Sequence, residues 1–82
     1  MAGFIRKKYT TIVMDGSNEK VLNDIINGME TATHGKAECR PLDDDHPTMM
    51  IIETKTNKKT YNIIRDVVEF MYPGLCVFNP RI

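Results

Sequence analysis

The chain repeats itself. Displaced by 39 residues, positions 10–43 fall on positions 49–82 without a gap, and 8 of those 34 pairs are identical. They are Ile12/Ile51, Asn18/Asn57, Lys20/Lys59, Asn23/Asn62, Ile25/Ile64, Glu30/Glu69, Gly35/Gly74 and Pro41/Pro80. Average composition would give roughly two by chance. Conservative pairs such as Ser17/Thr56 and Met29/Val68 extend the match. One unit is therefore used twice, around an acidic pivot from Pro41 to Pro47. Two units of this size are too few for a solenoid, so they are expected to pack on each other. A chain of 82 residues has room for one small core. The reading is a basic lead-in over residues 1–8 and a single domain over 9–82, with repeat units 10–43 and 49–82.

Within each unit the pattern is strand, helix, strand. Tyr9 to Met14 is rich in β-branched residues and reads as a strand. Asp15-Gly16-Ser17-Asn18 breaks it and offers N-cap side chains. From Glu19 to Thr33 the apolar residues Val21, Leu22, Ile25, Ile26, Met29 and Ala32 make a helical stripe. Gly28 inside it costs about 1 kcal/mol against Ala, so the packing there is close or the helix weak. His34-Gly35 stops the helix, with Gly35 expected at the left-handed position. Lys36 to Leu42 alternates as a half-buried edge strand, with Ala37 and Cys39 on its inner side. Thr48 to Thr54 is apolar on both faces and suits a central strand. Thr56-Asn57 repeats the capping signal, and Lys58 to Tyr72 carries Tyr61, Ile64, Val67, Val68 and Met71 at helical spacing. Pro73-Gly74 ends it, and Leu75 to Phe78 is the last strand.

The simplest closed arrangement is α+β: a ferredoxin-like βαββαβ sandwich. Its four-stranded antiparallel sheet has order 4-1-3-2, both helices lie on one face, and the repeat becomes a pseudo-two-fold. Cys39 and Cys76 then lie on opposite edges, out of disulfide reach.

That topology sorts the charges, although the formal net charge is zero. One end collects Asp15 and the Asp43-Asp44-Asp45-His46 turn; the other collects Arg6, Lys7, Lys8, Lys36, Lys55, Lys58, Lys59 and Arg81. Lys58 and Lys59 flank the start of the second helix, and with Lys55 and Lys36 they form a candidate anion site. The third strand offers Met49, Met50, Ile51 and Ile52 where an RNA-recognition motif has stacking aromatics, so nucleic acid has no motif behind it. The acidic turn lacks the spacing of a calcium loop and reads as a solvated turn, with no metal.

Catalysis finds no motif. His34 and His46 belong to opposite ends, neither cysteine has a partner that would activate it, and no phosphate loop or nucleophile elbow occurs. No enzyme activity and no cofactor are expected. The open sheet face carries the functional expectation. Leu75 and Val77 should lie on it beside one apolar row of the central strand, either Met49 with Ile51 or Met50 with Ile52. Leu75, Val77, Met50 and Ile52 form the candidate partner-binding set, unless Phe4 and Ile5 cover the face. An uncovered apolar face usually meets something. The expected function is that of a small interaction or regulatory protein, binding itself as a homodimer or a protein partner. The alternative is a nucleic-acid or phosphate ligand held at the basic end. No run of eighteen apolar residues occurs, which argues against a membrane span. The opening residues lack the apolar segment of a signal peptide, and a reducing cytoplasm is the expected location.

Overall fold

A computed structural model of the chain describes residues 6–80. The elements are β1 (Lys7–Val13), α1 (Glu19–Thr33), β2 (Ala37–Asp43), β3 (His46–Thr56), α2 (Lys58–Met71) and β4 (Cys76–Phe78). The four strands form one antiparallel sheet in the order β2-β3-β1-β4, which is 4-1-3-2 read from the other edge. Both helices contribute to a single buried cluster with one face of that sheet: Val13, Ile25, Met29, Ala37, Ile52, Ile64, Val68 and Cys76.

Local sequence explains the helices. Asn18 caps α1 by accepting the Val21 N–H at 3.2 Å, and Asn57 caps α2 by accepting the Thr60 N–H at 2.8 Å. Thr33 closes α1 by donating its hydroxyl to the Met29 carbonyl. The left-handed residue after α1 is His34 at φ 55°, not Gly35, and the Gly35 N–H returns to the Glu30 carbonyl. A single left-handed residue suffices to stop the helix, and it falls one position earlier than glycine marks it. After α2 the positive φ does fall on glycine, Gly74 at 77°.

The strands differ at their ends from the sequence reading. β1 takes in Lys7 and Lys8, which pair with Thr56 and Lys55. The acidic pivot contracts to a two-residue turn, Asp44-Asp45, because Asp43 and His46 already pair as strand residues. Asp43 holds that turn by accepting the His46 N–H at 2.8 Å. Neither aspartate of the turn takes positive φ, so the hairpin lacks the primed geometry that matches strand twist. A register shift between Pro41 and Asp43 supplies the local adjustment.

Gly16 lets the first loop close. Its N–H donates to the Thr48 carbonyl at 2.6 Å, and a Cβ there would lie 2.5 Å from Met50 Cγ. Tyr61 fastens α2 to the sheet. Its hydroxyl donates to the Thr10 carbonyl at 2.8 Å and, having one proton, accepts from the Thr11 hydroxyl and the Asn79 N–H. Its ring stacks on Tyr9 with centroids 4.4 Å apart and meets Phe78 edge-on.

Candidate functional site

Alternation along the strands decides which row faces the helices. Ile52 and Thr54 are buried on that side, and Met50 packs against the same core. Leu75 also packs against the core. It lies outside β4, in the turn after α2, where its N–H donates to the Tyr72 carbonyl. Strand alternation therefore does not extend to it. Of the four residues expected on the open face, Met50, Ile52 and Leu75 belong to the inside, and Val77 alone is where it was expected. Phe4 and Ile5, the alternative cover for this face, lie outside the described residues, as does Arg81.

The open face is built in rows across the strands. Arg40, Ile51, Ile12 and Val77 make one row, with Glu38, Glu53 and Thr10 in the next. Lys55 and Lys8 follow, and Lys36, one residue before the Ala37–Thr54 pair, extends that row. Glu53 gathers the neighbouring cations: Arg40 Nη1 lies 3.2 Å and Lys8 Nζ 3.9 Å from Glu53 Oε1. The Arg40 guanidinium holds the Glu53 carboxyl below its ordinary value. Ile51 is nearly sealed by its row neighbours, while Val77 and Met14 are each 43% exposed. The face is thus polar along the rows of Glu38, Glu53 and the lysines, and apolar where Ile51, Ile12 and Val77 adjoin beside Met14.

The four lysines expected to gather at one anion site do not: three divide between two grooves and the fourth lines neither. Lys36 and Lys55 line one on the open face with Arg6 and Lys8, and with Glu38 and Glu53 among them. Lys58 lines another with Lys7, Tyr61 and Arg65. Lys59 is exposed and lines neither. The acidic turn is self-satisfied: Asp43 Oδ1 lies 2.8 Å from His46 Nδ1, and that contact lowers the Asp43 pKa. Among the described residues no three His, Cys, Asp or Glu side chains are grouped to hold a metal ion. Cys39 and Cys76 are free thiols on opposite edge strands, and burial raises the pKa of both.

The largest apolar exposure is on the helical side, where sequence reading did not place it. Ile63, Val67, Phe70 and Met71 are each more than half exposed, Phe70 at 87%. At spacing i, i+4, i+7 and i+8 they form a second stripe on α2, beside the buried stripe of Tyr61, Ile64 and Val68. Next to it a groove of about 150 Å³ runs between the helices. Ile25, Met29, Ile64 and Val68 floor it, and Gly28 and Ala32 keep its α1 wall low. A Cβ on Gly28 would meet nothing within 4 Å. The groove ends where the Tyr72 hydroxyl reaches Asp24 Oδ2 at 3.5 Å. The stripe was legible in the spacing of Ile63, Val67 and Phe70. Val67 and Met71 were instead absorbed into a single core stripe.

No helix of the described residues is long and apolar enough to cross a membrane. Comparison of the chain with protein families, with characterised sequences and with solved structures finds no match.

Proposed function

We propose that this protein acts by binding, not catalysis, and docks an amphipathic helix of another protein chain along the α1–α2 groove. The observation that carries this is the contiguous exposure of Ile63, Val67, Phe70 and Met71 beside that groove. Small monomers rarely leave such a stripe in water. A groove between two helices, lowered at Gly28 and Ala32, is shaped for a third helix. Fully burying a large apolar side chain contributes about 1.5–3 kcal/mol, so four half-exposed ones offer on the order of 5 kcal/mol before the costs of association.

Hydroxyl-radical footprinting tests the reading. Met71 on the helical face should lose reactivity when the protein is in cell extract, compared with dilute pure protein. Met14, equally a methionine but on the other side of the sheet, should not. Protection of Met14 and Val77 with Met71 unchanged would return the interaction to the sheet face and remove this proposal.

A second reading is favoured by the Lys36–Lys55–Lys8 row. Like charges on neighbouring strands repel, and a phosphate-bearing ligand or nucleic-acid backbone would relieve them. Such binding would weaken steeply with salt, whereas helix docking would change little.

The two halves we take to be copies of one unit, arranged as a ferredoxin-like sandwich. Equivalent positions support this. Asn18 and Asn57 cap, Ile25 and Ile64 are buried, and Val13 and Ile52 are fully enclosed. The Glu30 carboxylate accepts the Ala37 N–H, and Glu69 acts electrostatically on Cys76, the counterpart of Ala37. Two unpaired thiols favour a reducing compartment such as the cytoplasm.

A further inference from the structure

The charges of α2 run against its own dipole. Its first turn holds Lys58 and Lys59 and no acid; its last turn holds Glu69 and no base. A helix is positive at its N-terminus and negative at its C-terminus, so both placements are unfavourable in an isolated chain. α1 carries Lys20 and Glu30 at the matching positions, but it opens on Glu19, as the dipole prefers, where α2 opens on Lys58. The inverted charges sit on the same helix as the unpartnered apolar stripe. Lys59 lies one turn before Ile63 on that face, and Asp66 lies between Ile63 and Phe70.

One occupant answers both features at once: a second α2 lying antiparallel to the first. The stripe from Ile63 to Phe70 then packs on its own copy about a two-fold axis near Ile63 and Val67. The basic first turn of each helix comes beside the acidic last turn of the other. Each helix end also meets the opposite pole of its partner's dipole. Such an arrangement is isologous, the commonest symmetry of soluble oligomers. Gly28 and Ala32 leave room above α1 for the partner's side chains.

We propose that the occupant of the α1–α2 face is a second copy of this chain, joined through antiparallel α2 helices. This rests on the docking reading above and names its partner. A 14-residue helix is roughly 21 Å long, so the interface is small and the dimer reversible.

Sedimentation across low to high micromolar concentration, with charge variants, tests it. Wild type should pass from monomer to dimer, and Phe70→Glu should stay monomeric. Gly28→Leu, which favours the helix but fills the groove, should stay monomeric too. Lys58→Glu with Lys59→Glu should weaken the dimer about tenfold at low salt, and Glu69→Lys should do likewise. Both charge variants align α2 with its dipole, so neither should lower the melting temperature of the monomer. Mixing the two should restore a dimer of wild-type strength, because each then supplies the charge the other lacks. A dimer indifferent to the charge variants, or variants that fail to recombine, would overturn the antiparallel arrangement. A wild type that stays monomeric at high micromolar concentration would overturn the second copy as occupant. Met71 protected in extract would in that case leave the docking reading standing. A dimer lost on Val77→Lys but retained with Phe70→Glu would overturn both.

Discussion

Cys76 shows what one side chain's surroundings impose. It is 9% exposed on β4 and lies near the charge of Glu69. Burial first, and that charge second, push its thiol up to about 11 from an ordinary value of 9.0. The sign of the linkage follows. Between those values the unfolded chain has lost the proton and the folded chain keeps it, so stability falls as pH rises from about 9 to about 11. Urea midpoints at pH 8 and pH 10.5 should differ more for wild type than for Cys76→Ala. An equal difference would mean that the thiol is not held protonated. Native alkylation should also stay slow until the pH nears 11. That both cysteines are unpaired was legible from their types and the edge placement the strand order implies, although Cys39 is only half-buried. The need for Gly16 was not, because its cause is the distant Thr48 carbonyl and Met50. Gly16→Ala should destabilise by about 1–3 kcal/mol, read by thermal melting, since overpacking forces backbone or side chain to move.

At the scale of elements, sequence periodicity located both helices almost to the residue, because Asn18 and Asn57 are strong local caps that nothing distant overrides. Strand ends were less legible. The Lys7 and Lys8 segment becomes strand only because β3 runs on to Thr56 and gives it partners. Which row of β3 faces inward was undecidable from a run apolar on both faces. The structure answers through Thr54 and Thr56, whose burial shows that even-numbered residues face the helices. Reading α2 as having one stripe hid its second. Gly28 follows the same logic: its weakness in the helix is not offset by close packing within the chain, since the space above it is open. Gly28→Ala should therefore raise stability by about 1 kcal/mol in a urea titration. A loss would mean that glycine is needed there for a contact within the monomer. The lysine row makes a similar point about β1 and β3. Lys55→Thr should stabilise the protein at low salt by a few tenths of a kcal/mol and lose that advantage as salt screens the row.

Across the whole molecule, the core is shared between the halves and belongs to neither. β3, from the second half, lies between β1 and β2 of the first, and β1 lies between β3 and β4 of the second. Neither half can keep its sheet if the other leaves. Ile25 on α1 and Ile64 on α2 are 2% and 5% exposed and belong to one cluster with Val13, Ile52, Ala37 and Cys76. Losing either should therefore be felt by the entire chain. Ile25→Ala and Ile64→Ala should each cost about 2–5 kcal/mol, comparable to one another, from a total that for small domains is only about 5–15 kcal/mol. Each variant should still unfold in a single transition, with circular dichroism and tyrosine fluorescence coincident, because Tyr9 and Tyr61 sit in opposite halves and stack on each other. Two separate transitions, or a cost confined to one half, would mean that the interleaved strands do not bind the halves into one cooperative unit.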